Sequence, residues 1–145
     1  MCTLGNRFFR APCVHYYLAG ETPLILTTLS ITVSPGEREE MIKAFWLLLG
    51  PLRVEPGCLA CDLYQNIGNE DGFFYLEAWQ TSEQLERHMR SARYERLLAI
   101  MEASAQPPLL RYHLVSDTRG LEYLEAVRLG SAVPPPPPPD QPARE

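Results

Sequence analysis

Between residues 24 and 115 the chain alternates between two spacings of apolar residues, every second position and every third or fourth. Residues 24–33 are rich in Leu, Ile, Thr and Val up to Ser34-Pro35-Gly36, and read as a first strand. Ser34 reads as a helix N-cap, with Pro35 at the first helical position and Glu37 three residues after the cap. The helix that follows places Met41, Phe45, Leu48, Leu49 and Leu52 on a single apolar stripe. Gly50-Pro51 weakens its last turn, and Pro56-Gly57 stops it. Residues 59–67 read as a second strand, 68–72 as a turn, and 73–79 as a third strand returning in a hairpin. Thr81 with Gln84 opens a second helix bearing Leu85 and Met89. Ser91 marks a break, after which Tyr94, Leu97, Leu98 and Met101 form the stripe of a continuing helix. Pro107-Pro108 ends it, and residues 109–115 read as a fourth strand.

The order β-α-β-β-α-β is the split βαβ pattern of a ferredoxin-like α+β fold. It predicts a four-stranded antiparallel sheet with the helices on one face. Alternation assigns Leu29, Ile31, Val33, Leu59, Cys61, Leu63, Phe74, Leu76, Ala78, Leu110, Tyr112 and Leu114 to the helix-covered face. The other face then collects Thr28, Ser30, Thr32, Asp62, Tyr64, Asn66, Tyr75, Glu77, Trp79, Arg111 and His113. Three large aromatics on a small open sheet form an apolar patch, which predicts a homodimer with a second subunit covering it. Glu77 and Arg111 read as an interstrand ion pair on that face, with His113 beside them.

The flanks differ in composition from this core. Residues 1–23 are irregular and read as an N-terminal extension that either packs on the dimer or precedes the true start of the gene. Residues 24–117 form the domain. Residues 118–130 contain one further ordered piece, strand or helix, whose Leu121, Leu124 and Val127 are suited to reach the dimer partner. Residues 131–145 carry the run from Pro134 to Pro139 and read as a solvated, disordered polyproline II tail.

The 145 residues fit one domain, and an apolar fraction of 46% supplies a core. Thirteen basic against 18 acidic side chains give a net charge of -5, with no basic stripe to attract nucleic acid or an anionic membrane. No apolar stretch approaches the roughly 20 residues that cross a bilayer. Arg7 and Arg10 precede a short segment broken by His15, Tyr16 and Tyr17, a poor secretory signal. A cytoplasmic location is therefore expected, with the four cysteines as thiols. Cys58-Leu59-Ala60-Cys61 has the C-x-x-C spacing. On a regular strand, residues three apart face opposite ways, so the pair is not expected to converge on zinc. Gly-rich phosphate loops, nucleophile elbows and zinc-protease motifs are absent.

Val54-Glu55-Pro56-Gly57-Cys58-Leu59, Tyr64, the segment from Phe73 to Trp79, and Leu85-Glu86-Arg87-His88-Met89 together resemble the antibiotic biosynthesis monooxygenase family. The resemblance spans residues 24–115. It implies a dimeric α+β barrel, and some members oxidise aromatic polyketides or quinols with O2 and no metal or flavin. Others degrade haem, but here Leu98 falls where the haem-ligating His would be and Leu29 replaces an expected Asn. The leading expectation is a cofactor-free monooxygenase acting on a small aromatic or quinol. A non-catalytic binder of a hydrophobic ligand is the alternative, and haem binding comes third. Such an oxygenase needs a base, an apolar cavity and hydrogen-bond donors. His88 is the candidate catalytic base, because its ordinary pKa near 6.5 suits proton transfer at neutral pH. Trp79, Tyr64 and Tyr94 are the candidate substrate-binding residues. Each has a plainer role available in core, interface or helix packing.

Overall fold

Strand β1 (Leu24–Thr32) occupies the interior of the sheet, paired with β3 (Asn69–Trp79) on one side and β4 (Leu109–Val115) on the other. Strand β2 (Cys58–Asn66) flanks β3, so the order is β2-β3-β1-β4 with every pair antiparallel. Helices α1 (Arg38–Leu52), α2 (Ser82–Met89) and α3 (Ala92–Glu102) link the strands, and α4 (Leu121–Leu129) follows β4. The structure, a computed structural model, describes residues 24–133 and residue 135. The N-terminal extension and the proline-rich tail, apart from residues 131–133 and 135, lie outside the described residues, as do Cys2 and Cys13.

The expected β-α-β-β-α-β order and four-stranded antiparallel sheet are present. Met41, Phe45, Leu48, Leu49 and Leu52 of α1 are all buried against Leu29, Ile31, Tyr75 and Leu97. Removing a side chain such as Phe45 from water contributes about 1.5–3 kcal/mol. The entry to α1 differs from the expectation. Ser34 makes no side-chain cap; its carbonyl accepts from the Glu37 N–H at 2.9 Å, closing a 3-10 turn over Pro35–Glu37. The cap expected at Thr81 forms, and the break expected at Ser91 is itself a cap. Thr81 Oγ1 accepts from the Gln84 N–H, and Ser91 Oγ accepts from the Tyr94 N–H, which separates α2 from α3. On α3 the buried stripe is Tyr94, Leu97 and Ile100, while Leu98 is exposed. On α2 the buried pair is Leu85 and His88 rather than Leu85 and Met89.

The largest correction concerns β3. Phe73, Tyr75, Glu77 and Trp79 are buried and, except for Glu77, belong to the helix-covered core; Phe74 is 39% exposed. The strand therefore sits one residue out of phase with the expectation, which placed Phe74, Leu76 and Ala78 inside. Cross-strand partners agree: Tyr75 lies between Leu63 and Leu29, and Glu77 between Cys61 and Thr27. The observed phase buries three aromatics that would otherwise be wet, each carrying roughly 150–250 Å². Glu77 is tolerated inside because two donors hold its carboxylate. Arg111, opposite Thr28 on the open face, cannot reach it, so the expected Glu77–Arg111 pair does not exist. On that face Thr28 Oγ1 and His113 Nε2 are 3.1 Å apart.

The segment with two readings is helix α4. It ends at Gly130 in the left-handed region (φ 65°), where the Ser131 N–H closes back on the Ala126 carbonyl at 3.0 Å. Ala126 is buried, whereas Leu121, Leu124 and Val127 are exposed.

Candidate functional site

The capped first turn of α2 orients its apolar face, and Leu85 and His88, three apart, both point at the sheet. His88 is fully buried. Its imidazole stacks on the Trp79 indole at 4.8 Å between centroids, with 28° between the planes. Tyr94, on the first turn of α3, meets the imidazole edge-on at 5.3 Å. The Tyr94 hydroxyl is 3.3 Å from that of Tyr112 on the edge strand β4.

Two carboxylates flank the ring. The turn after α1 carries Glu55, whose carbonyl accepts from the Cys58 N–H and whose Oε2 lies 3.2 Å from His88 Nδ1. The same oxygen accepts from Arg93 Nη1 at 2.7 Å. An ionised carboxylate only accepts, so Nδ1 is the donor in this contact. Glu77 lies on the other side. Its Oε1 accepts from the Tyr75 hydroxyl at 2.7 Å and its Oε2 from the Trp79 indole N–H at 2.8 Å. Glu77 Oε1 is 3.6 Å from His88 Nε2, beyond a hydrogen bond. Among the described residues Nε2 is buried without a hydrogen-bond partner, and so is the hydroxyl of Thr27, which pairs across from Glu77. Nε2 is thus the ring nitrogen left without a hydrogen bond, and it faces a buried carboxylate. Burial, followed by the charge of Glu77, pushes the Tyr75 phenol far above its ordinary 10.0. Burial and the hydrogen bond to Tyr112 push Tyr94 up as well, so both phenols are neutral donors.

Three of the four candidates, His88, Trp79 and Tyr94, come together here. Tyr64 does not; it is 53% exposed, opposite Phe74 on the open face. Glu55, Glu77, Tyr75 and Tyr112 were not anticipated as site residues. The Glu55-Pro56-Gly57 turn was visible in the sequence, but the inward direction of the Glu55 carboxylate, toward His88 and Arg93, was not. Gly57 has φ 90°, its carbonyl accepts from the Gln80 N–H, and a Cβ there would strike the Gln84 side chain.

The cysteines also depart from expectation. Strand β2 carries a bulge: Cys58 pairs with Trp79 and Cys61 with Glu77, leaving Leu59 and Ala60 against Ala78 alone. Both thiols consequently face the helix side, and Leu59 and Ala60 face the other. Among the described residues, no group of three or more His, Cys, Asp or Glu side chains is placed to hold a metal ion. No helix among them is long and apolar enough to cross a membrane. A groove of about 230 Å³ lies elsewhere, lined by Ile42, Trp46, Leu49, Arg53, Asp62 and Phe73 among others, and includes none of the four candidates.

The chain belongs to the antibiotic biosynthesis monooxygenase family, whose model matches residues 25–100. Among curated relatives it is similar to "Putative monooxygenase YcnE" of Bacillus subtilis (strain 168), at 28% identity over 86 residues, 59% of this chain and 90% of that protein. Among solved structures it is similar to PA3566 from Pseudomonas aeruginosa, at 32% identity and a TM-score of 0.55, covering 64% of this chain and 93% of that one. An antibiotic biosynthesis monooxygenase of known structure shares the fold, with 21% identity, a TM-score of 0.57, and coverage of 66% and 99%.

Proposed function

We propose that the chain is a cofactor-independent monooxygenase that oxidises a small aromatic or quinol-type substrate with O2. The observation that supports it is His88, held by Glu55 at Nδ1, stacked on Trp79, and presenting an unpartnered Nε2 inside an aromatic shell. A hydroquinone or anthrol becomes a one-electron donor to O2 once its hydroxyl is deprotonated. His88 Nε2 takes that proton, and the Glu55 carboxylate stabilises the imidazolium. For an anthrol reacting as its methylene tautomer, two hydrogens leave the substrate. One oxygen atom enters the product and the other departs as water. Trp79 supplies the flat apolar surface, and the neutral Tyr94 phenol supplies a donor for the developing oxyanion.

Access has a structural requirement. His88 has no exposed surface, so a substrate reaches it only when the packing around the ring opens. The second reading is a non-catalytic dimer that holds a hydrophobic ligand. We assign the open sheet face to a homodimer interface in either case. It exposes Tyr64 and Phe74, and α4 adds Leu121, Leu124 and Val127.

The test is oxygen uptake by the purified, metal-free protein with a panel of hydroquinones and anthrols, corrected for autoxidation. Saturable uptake is expected. No uptake with any member, alongside tight binding of the same compounds, replaces the oxygenase reading with the ligand-binding one.

A further inference from the structure

The bulge in β2 makes a dithiol that the spacing alone does not. Cys58 and Cys61 share the helix-side face and pack in the same core cluster, and their cross-strand partners Trp79 and Glu77 are two residues apart on β3. Cys61 is 2% exposed and its Sγ lies 3.7 Å from the Leu49 carbonyl; Cys58 is half-buried, with Sγ 3.5 Å from the Ala60 carbonyl. The two differ in access and in electrostatic surroundings. The neighbouring Cys58 thiol, and then the guanidinium of Arg53, whose Nε lies 3.4 Å from the Cys61 carbonyl, favour a thiolate at Cys61. The neighbouring Cys61, then burial and the carboxylates of Glu77 and Glu55, oppose one at Cys58. Among the described residues, neither sulfur has the further ligands that a structural metal needs.

We propose that Cys58 and Cys61 form a reversible dithiol–disulfide couple in the wall of the His88 site, oxidised by a hydroperoxide. Cys58 is the sulfur that the oxidant reaches. It attacks the O–O bond and its own proton goes to the departing oxygen, giving a sulfenic acid and one water when the oxidant is hydrogen peroxide. Cys61 then attacks the Cys58 sulfur, the S–S bond forms, and the sulfenic oxygen leaves as a second water. Two thiols lose two hydrogens and two electrons, and the peroxide gains them. The couple stands on the bulge and not on the oxygenase reading. Its location links it to the site, because Cys58 pairs across from Trp79 and Cys61 across from Glu77.

The full chain reports this directly. Trypsin leaves residues 54–87 as one peptide holding both cysteines, while Cys2 and Cys13 fall in other peptides. After titration with hydrogen peroxide, rapid alkylation and digestion, that peptide should lose two hydrogens in mass and take up no alkylating agent. Dithiothreitol should reverse the change, and either Cys58→Ser or Cys61→Ser should abolish it. Three outcomes overturn the proposal: two alkylatable thiols persisting at peroxide levels that oxidise dithiothreitol, separate sulfinic acids, or cross-links to the Cys2 or Cys13 peptides. A Trp46→Phe variant leaves Trp79 as the chain's single indole. Its emission should change reversibly with the couple, and unchanged emission overturns the placement in the site wall.

Discussion

The imidazole of His88 lies almost flat on the indole of Trp79, while that indole's N–H is spent on Glu77, two residues back along the same strand. One ring thus fixes both the plane of the histidine and the direction of a buried carboxylate. The behaviour of the site under mutation follows from that shared support.

His88→Gln should keep the packing and abolish oxygen uptake, because an amide cannot accept and release a proton at Nε2. His88→Ala should in addition lower stability by about 2–3 kcal/mol, since it opens a cavity lined by two carboxylates. Uptake assays beside urea unfolding separate the two effects. Unchanged turnover in His88→Gln rejects the base assignment.

Glu77→Ala strands the Tyr75 hydroxyl and the Trp79 N–H in the core. It should cost about 3–5 kcal/mol, whereas Glu77→Gln should cost markedly less by keeping one acceptor. Chemical denaturation of the two variants checks the order.

Alkaline pH should destabilise the protein in a defined window. Tyr75 and Tyr94 hold their protons in the folded state well above the ordinary 10.0, while the unfolded chain releases them there. Above pH 10 the folded state binds more protons, so stability falls with a slope of about 1.4 kcal/mol per pH unit for each phenol. Below pH 10 this contribution is fully present. Tyr94→Phe should reduce the slope measured by urea unfolding between pH 10 and 11 by one phenol's share.

Gly57→Ala should destabilise by at least about 1 kcal/mol, from the positive φ and from contact with Gln84. Adding Gln84→Ala should recover part of that loss, the steric part, and leave the backbone part. A thermal-unfolding cycle of the four proteins measures both.

Phe74→Glu should convert a dimer into a monomer of 16.5 kDa by light scattering, with the fold kept, because Phe74 sits on the open face. A monomeric wild-type protein would reject the interface assignment.

The helices and strand order were legible because their apolar spacings are long and punctuated by proline, glycine and capping residues. His88 was legible for the same reason, lying one helical turn from Leu85. The phase of β3 was not. In Phe73-Phe74-Tyr75-Leu76-Glu77-Ala78-Trp79 both alternations are largely apolar, and Glu77 marks the wrong one as polar. Only its two donors, supplied by neighbours of its own strand, make the burial tolerable. The bulge at Cys58 was hidden in the same way, since an extra residue in a strand carries no spacing signal of its own. Tyr64 entered the candidate set through this phase error, as a companion of Trp79 on a face they do not share.

The central position of β1 bears on how the chain is made. β1 leaves the ribosome first among the described strands, yet one of its two partners, β4, ends at Val115. The family match stops at residue 100, short of that partner. Until the last strand emerges, β1 presents an unpaired, β-branched edge to every other nascent copy. Truncation before residue 109 would make that exposure permanent, and the expected product is an aggregating chain instead of a smaller domain.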